Sequence, residues 1–281
     1  MKVITDIDAA RRAVRELQFA GKTVGLVPTM GALHAGHLSL IQAARRDCNA
    51  TAVTIFVNPI QFGPSEDFGA YPRTIETDIA ACEANGVEIV FAPAVEAMYP
   101  GDELTHVHVR RITEVLCGPR RPGHFTGVAT VVLKLFHILP ADKAYFGEKD
   151  YQQLAVIRAM ARDLNVPIEI VGYPTLREPD GLAMSSRNAY LSPAQRQQAV
   201  SLNRGLFAAV ERVGDGERDV RRITDRIREQ ILAAGPADIE YVDVVDATTL
   251  ELLREVDRPA RICLAVRIGS CRLIDNVGVD V

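Results

Sequence analysis

The stretch from Val24 to His37, V-G-L-V-P-T-M-G-A-L-H-A-G-H, constrains the fold more than any other. Val24 to Val27 is a short apolar run of the kind that forms a buried strand, and Pro28, with no amide hydrogen to continue a ladder, predicts its end. Gly31 and Gly36 permit a tight turn and a close backbone approach. Leu38, Ile41 and Ala44 then recur at helical spacing, which predicts a helix from about His37. His34 and His37 thereby fall at a helix N-terminus, where unpaired amides and the macrodipole favour an anion. Two imidazoles there suit a phosphate and the charge that develops on it. A metal pair or a pair of capping histidines is the plain alternative. The metalloprotease motif is not matched, because the spacing is one residue short of H-E-x-x-H and no Glu follows His34.

With 281 residues, 48% of them hydrophobic and 24% charged, the chain can bury one large core or two unequal ones. No run approaches the roughly 20 apolar residues of a membrane span, and the opening M-K-V-I-T-D-I-D is too polar for a signal peptide. The expectation is a cytoplasmic protein with no membrane partner. Five cysteines, Cys48, Cys82, Cys117, Cys263 and Cys271, are scattered without a C-x-x-C pair, so neither a disulfide framework nor a zinc site is suggested. A net charge of -4 with no basic block argues against a nucleic-acid surface.

Thr5 or Asp6 caps a first helix with Ile7, Ala10, Val14 and Leu17 on one face, closed by Gly21. Ala50 to Val57 reads as a β-branched strand stopping at Asn58-Pro59. Thr74 opens a helix with Glu76 and Asp78 in its first turn, ended by Asn85-Gly86, and a strand follows over Val87 to Phe91. From Pro93 to Gly127 the pattern is irregular, with a strand expected at Thr105 to Val109 whose His106 and His108 read as a solvated face. Arg120 to Gly127, R-R-P-G-H-F-T-G, sets Arg120, Arg121 and His124 beside glycine-flanked backbone, which suits an anion as well as a basic surface loop. Val128 to Leu139 and Tyr151 to Leu164 read as helices, Ala144 to Phe146 and Ile168 to Val171 as strands.

Three polar turns each follow an expected strand: the histidine turn, the loop of Asn58 and Gln61, and the turn of Lys149, Asp150 and Gln153. In a parallel sheet they gather at the carboxyl edge, where open α/β sheets bind ligands. No G-x-G-x-x-G fingerprint accompanies them. Past Pro174, Thr175 to Asn188 is broken by Pro179 and Gly181 and reads as a linker or mobile loop, in which Ser185 either caps a helix or, with Ser186 and Arg187, wraps a polyphosphate. Helices over Ala194 to Val213 and Val220 to Ala234, and strands over Ile239 to Val245, Arg261 to Ile268 and Arg272 to Ile274, complete a small α+β domain. The fold class is therefore α/β: a Rossmann-like parallel-sheet domain over residues 1–175 and a smaller α+β C-terminal domain over 176–281.

P-T-M-G-A-L-H-A-G-H resembles the H-x-G-H motif of the nucleotidyltransferase superfamily in the form found in pantothenate synthetases. F-V-N-P-I-Q-F-G, Y-P-R-T, R-P-G-H-F-T-G-V, F-G-E-K-D-Y-Q-Q and D-G-L-A-M-S-S-R-N extend the resemblance over nearly the whole chain. It implies a homodimeric enzyme that joins pantoate to β-alanine with ATP and Mg2+, through a pantoyl adenylate, releasing pyrophosphate and then AMP. It further implies that His34, His37, Lys149, Ser185, Ser186 and Arg187 serve the phosphates and the adenylation step. Pro28, Thr29 and Met30 would border ATP, Gly147 and Asp150 the ribose, and backbone near Leu176 and Met184 the adenine. Gln61 and Gln153 would grip pantoate, Met30 would line its pocket, and Asn58 and Tyr71 would lie near the pantoate and β-alanine end. The C-terminal domain would cover the site. M-S-S-R differs from the M-S-K-S of class I aminoacyl-tRNA synthetases, so no lysine role carries over there. Competing readings are an adenylyltransferase acting on a phosphorylated acceptor such as phosphopantetheine or nicotinamide mononucleotide, and a non-catalytic ATP-binding module.

Overall fold

Runs of Val, Ile, Ala and Thr bounded by proline, glycine and asparagine form the strands, and amphipathic stretches between them form crossover helices. The computed structural model describes residues 1–64, 66 and 68–280. In chain order the first half holds β1 (Lys2–Ile4), α1 (Ile7–Phe19), β2 (Val24–Thr29), α2 (Ala35–Asp47), β3 (Ala50–Ile55), α3 (Ile75–Ala84), β4 (Ile89–Phe91), α4 (Val95–Met98), α5 (His124–Ile138), β5 (Lys143–Gly147), α6 (Tyr151–Asp163) and β6 (Glu169–Tyr173). Its six strands form one parallel sheet in the order β1-β4-β3-β2-β5-β6. The chain winds from β2 toward β4 on one side and from β5 to β6 on the other. The order therefore reverses between β2 and β5, and that is the switch point. Val27, Val53, Val90 and Tyr145 meet Ile41 and Ala44 of α2 in the core on one face.

Several expectations are corrected here. β2 does not stop before Pro28 but runs to Thr29, with Pro28 opposite Thr54. Thr29 exchanges hydrogen bonds with Thr54 on the β3 side, so alternation turns Pro28 toward the β5 side. Pairing with β5 ends there at Leu26 and Ala144, so no ladder amide is needed. The edge strand β1 has no sequence signature, because three residues are too few to show a period. Residues 105–109 are not a strand: the Val107 amide donates to Thr130 Oγ1 at 2.9 Å and His108 bonds Thr126 at 3.2 Å, so side chains of α5 take the place of a ladder. α5 begins at His124, four residues ahead of the expected Val128, behind a Gly123 cap with φ of 82°.

The chain divides into two compact units: residues 1–110, 121–148 and 153–174, and residues 111–120, 149–152 and 175–281. The second unit contains α7 (Pro193–Gly214), α8 (Val220–Ala233) and an antiparallel sheet of β7 (Asp238–Asp246), β8 (Ala260–Ile268) and β9 (Cys271–Val279). Leu202, Leu206, Ile223 and Ile227 pack on Val242, Val244, Ile262 and Leu264 to form its core. β9 outruns the expected Arg272 to Ile274 because it pairs along the whole length of β8. The earlier segments join this unit through Gln152, which accepts from the Cys117 amide at 3.0 Å and donates to the carbonyls of Ile112 and Val115. Residues 175–188 are a braced hairpin rather than a linker. Met184 N–H donates to Leu176, Glu178 N–H to Leu182, and Arg177 chelates the buried Asp275 at 2.7 and 2.9 Å. Leu182 anchors the hairpin in the core.

All five cysteines are free thiols, four of them buried. Burial, with the Asp78 charge added, pushes Cys82 up to about 11, so it stays a protonated apolar residue at neutral pH. Among the described residues no helix is long and apolar enough to cross a membrane.

Candidate active site

The turn after β2 is held by a buried carboxylate. Gly31 (φ 84°) and Ala32 (φ 50°) are both left-handed, which aims successive amides at one point. Asp78 of α3, 2% exposed, fills that point: its oxygens accept from Ala32 N–H at 2.9 Å and Leu33 N–H at 2.8 Å, and from the Thr74 hydroxyl at 3.2 Å. A side chain at Gly31 would meet Asp78 Oδ2 at 2.9 Å, so this position must be glycine.

α2 starts at Ala35, two residues before the expected His37, because His34 is its N-cap. Nδ1 of His34 accepts from Gly36 N–H at 3.2 Å, and Nδ1 of His37 accepts from His34 N–H at 3.4 Å. The two rings stack with centroids 4.0 Å apart. The capping alternative and the phosphate reading are thus compatible. An Nδ1 that accepts from an amide leaves the ring hydrogen on Nε2, the vertex opposite the backbone contact, where it is a donor. Two such donors at a helix N-terminus are suited to phosphate oxygens.

After β3, Asn58 (1% exposed) and Gln61 (9% exposed) form one amide chain on a 3-10 turn. Asn58 Nδ2 donates to the Gly127 carbonyl at 3.3 Å and to Gln61 Oε1 at 3.0 Å, while Tyr99 donates to Asn58 Oδ1 at 2.6 Å. A backbone carbonyl only accepts, so it fixes the flip of Asn58, and Asn58 in turn fixes that of Gln61. Gln61 Nε2 is left on Met30 Sδ at 3.0 Å. A thioether is a weak acceptor that a substrate hydroxyl or carboxylate displaces readily. Burial, then the Glu103 charge, pushes the Tyr99 phenol up, so it remains the donor this chain requires. Tyr71 is buried edge-on to Phe62 at 5.8 Å. Gly147 closes β5 across the switch point, and Gln153 is half-buried in the first turn of α6. Pro28, Thr29 and Met30 end β2.

The other sequence-predicted residues belong to the second unit. Lys149 lies 3.8 Å from Asp150, and its carbonyl accepts from Asn276. Leu176 and Met184 are joined by the hairpin bond. Ser185 caps a 3-10 turn of Ser186–Tyr190 by accepting from Arg187 N–H at 3.3 Å, the plain reading of this serine. Asn188, at the end of that motif, ties Glu178 and the Ala183 carbonyl.

The arginines of Arg120 to Gly127 are paired within the protein. Arg120 donates to the Glu240 carbonyl at 2.7 Å within the second unit. Arg121 chelates Glu66 through Nε and Nη2, both at 2.7 Å, and its charge is already matched. Asp78, Tyr99 and Glu66 were missed as site residues. Only their folded positions mark them, since each acts on residues distant in sequence.

The sequence profile of a family described as Pantoate-beta-alanine ligase matches residues 2–278. Curated relatives include the pantothenate synthetases of Acetivibrio thermocellus, 51% identical over 281 residues and the full length of both chains, and of Heliobacterium modesticaldum, 52% identical over the same span. Among solved structures, the pantothenate synthetase of Thermus thermophilus is 45% identical with a TM-score of 0.93 over 99% of both chains. The Francisella tularensis pantoate-beta-alanine ligase complexed with beta-gamma ATP and beta-alanine is 34% identical, with a TM-score of 0.81 over 99% of this chain and 97% of that one. The chain, matched end to end and carrying the histidine cap and the amide chain at its switch point, belongs to the pantoate-beta-alanine ligase family.

Proposed function

We propose that this protein condenses pantoate with β-alanine at the expense of ATP. A pantoate carboxylate oxygen attacks the α-phosphorus, the bond to the bridging oxygen breaks, and pyrophosphate leaves. The β-alanine amine then attacks the acyl carbonyl, AMP departs and the nitrogen loses a proton. The observation that carries this reading is the pair of Nε2 donors of His34 and His37 at the α2 N-terminus, beside a Gln61 whose amide is held in one orientation. The first step brings two anions together, and fixed donors stabilise the charge that grows on the phosphate.

In this reading His34, His37, Lys149, Ser185, Ser186 and Arg187 bind the phosphates, with Pro28, Thr29 and Met30 bordering them. Gly147 and Asp150 hold the ribose, and the backbone of Leu176 and Met184 meets adenine. Gln61 Nε2 exchanges the Met30 sulfur for a pantoate oxygen, and Gln153 is its second amide. Asn58 and Tyr71 shape the pantoate and β-alanine end, Asn58 acting through Gln61. In this division residues 1–175 supply the histidine cap and the pantoate amides, and residues 176–281 supply the serine-arginine motif. Among the described residues no group of three or more acidic, histidine or cysteine side chains is placed to hold a metal ion. In this reading Mg2+ arrives with ATP, because this ion is commonly held by substrate phosphates and water with few protein ligands. It would neutralise phosphate charge. We also propose a cytoplasmic homodimer.

With ATP and pantoate alone, labelled pyrophosphate should exchange into ATP, because adenylation is separate and reversible. A requirement for β-alanine in that exchange overturns the two-step mechanism, and formation of a dinucleotide product overturns the reaction itself. Light scattering tests the dimer.

A further inference from the structure

The R-R-P-G-H-F-T-G stretch is engaged within the protein and converges on Gln61. His124 is 8% exposed, and its Nδ1 lies 2.8 Å from the Gln61 carbonyl oxygen. That oxygen can only accept, so the ring hydrogen belongs on Nδ1. Arg121 Nη1 lies 2.9 Å from His124 Nε2. A guanidinium can only donate, so Nε2 must offer its lone pair. Two neighbours of opposite character thus demand the same tautomer. It is the reverse of the one that the caps impose on His34 and His37.

Arg121 is itself held by Glu66 on Nε and Nη2, which turns Nη1 toward the imidazole. Burial works to raise the Glu66 carboxyl, but the Arg121 bonds outweigh it and hold the group below its ordinary value, so the ion pair is charged at neutral pH. One turn further along α5, a side chain on Gly127 would sit 2.3 Å from the Ile60 carbonyl oxygen. Glycine there lets the helix lie against the Gln61 turn, and the Gly127 carbonyl sets the Asn58 flip that orients the Gln61 side chain.

We infer that His124, kept in its Nδ1–H tautomer by Arg121, is a positioning residue that fixes the Gln61 backbone and so sets specificity for the hydroxy-acid substrate. The inference rests on the proposed role of Gln61 in gripping pantoate. It assigns the segment from Arg121 to Gly127 to substrate selection without any contact of its own with the substrate.

The test compares His124→Asn, His124→Gln, His124→Ala and Gln61→Ala. Asn places an N–H where Nδ1–H stood, whereas Gln places its amide where Nε2 stood. His124→Asn should keep the pantoate KM within about threefold of the parent. His124→Ala and His124→Gln should raise it about tenfold or more with the ATP KM unchanged, the size expected for one lost buried hydrogen bond. The 15N spectrum of the imidazoles should show His124 protonated at Nδ1. Should His124→Ala not fold, Asn against Gln decides, because the two differ in which donor position is filled. A pantoate KM indifferent to His124 but raised by Gln61→Ala overturns the positioning role alone, as does an Nε2-protonated His124. A pantoate KM indifferent to Gln61→Ala overturns the role of Gln61 and the inference with it.

Discussion

Replacing Asp78 should disable adenylation although the residue is not proposed to touch either substrate. Its carboxylate satisfies two adjacent amides, Ala32 and Leu33, in a turn where a non-glycine residue is left-handed. Left-handed backbone costs roughly 1–2 kcal/mol at a residue such as Ala32, and the two charge-assisted bonds offset it. In Asp78→Ala two donors lose their acceptor, at about 1–3 kcal/mol each if no water replaces it. Ala32 and Leu33 are half-buried, so water recovers part of this loss. A net destabilisation of roughly 2–4 kcal/mol follows, which lowers the melting temperature by about 5–15 °C at this chain length. Asp78→Asn should be no milder, since its amide nitrogen would face one of the two N–H groups.

The rate should fall further than stability alone explains. His34 follows directly after this turn, and a shift of about 1 Å at catalytic groups commonly costs about 10²-fold in rate. Pyrophosphate exchange at a temperature where the variant remains folded reads the rate, and hydrogen exchange at residues 31–34 reads the turn. Exchange of pyrophosphate within about threefold of the parent, with the protection of those amides unchanged, would refute the clamp.

His34→Asn should keep the helix cap, because asparagine is a strong N-cap, yet lose the Nε2 donor. Its melting temperature should stay near the parent's while single-turnover adenylation drops about 10²- to 10³-fold. Gln153→Ala should weaken pantoate binding far more than ATP binding, as paired titrations with each ligand will measure; equal losses refute the proposed division of the site. Burial, only partly countered by Arg228 and Arg120, raises the Asp243 carboxyl above its ordinary value of 3.8. The folded state therefore binds this proton more tightly than the unfolded one, and the cost of ionising it is present in full above the folded value and absent below the unfolded one. Asp243→Asn should accordingly raise the melting temperature at pH 7, with the gain fading as pH falls toward 4.

Much of the fold was legible because apolar periodicity and punctuation agree. Asp6 caps α1 as expected, accepting from Ala9 N–H at 2.7 Å, and Asn85-Gly86 closes α3 with Gly86 at φ 68°. Where local rules fail, a tertiary partner replaces them. Pro28 is tolerated inside β2 because the strand has lost its β5 neighbour there. Residues 105–109 look like a strand, but Thr130 and Thr126 take their polar groups. The 175–188 hairpin looks like a linker because its proline and glycine hide the Arg177–Asp275 pair. In the candidate site, motif residues such as His34, His37 and Gln61 can be read from the sequence. Asp78, Tyr99 and Glu66 cannot, for an acidic residue in a first helical turn or a tyrosine before a proline is ordinary until the fold sets it against a particular amide or side chain.

What the sequence does not reveal about His34, His37 and Gln61 is their directionality. Imidazoles and carboxamides are ambiguous hydrogen-bonding groups, each able to present a donor or an acceptor to the same point. Around His34, His37, Gln61 and His124 the ambiguity ends on groups with no choice. The Gly36 and His34 amides can only donate, so the capping imidazoles carry their hydrogens on Nε2. The Gly127 carbonyl can only accept, so Asn58 and then Gln61 are oriented. The Arg121 guanidinium can only donate, so His124 is fixed against the Gln61 carbonyl. The outcome is a set of donors, Nε2 of His34, His37 and Gln61, whose sense is settled before any ligand binds. For two anions that must be brought into contact, this matters more than net charge. A free side chain would have to reorient as the transition state forms, whereas donors fixed in advance incur no such reorganisation. A chain with a net charge of -4 can therefore serve two anionic substrates by fixing the orientation of neutral groups.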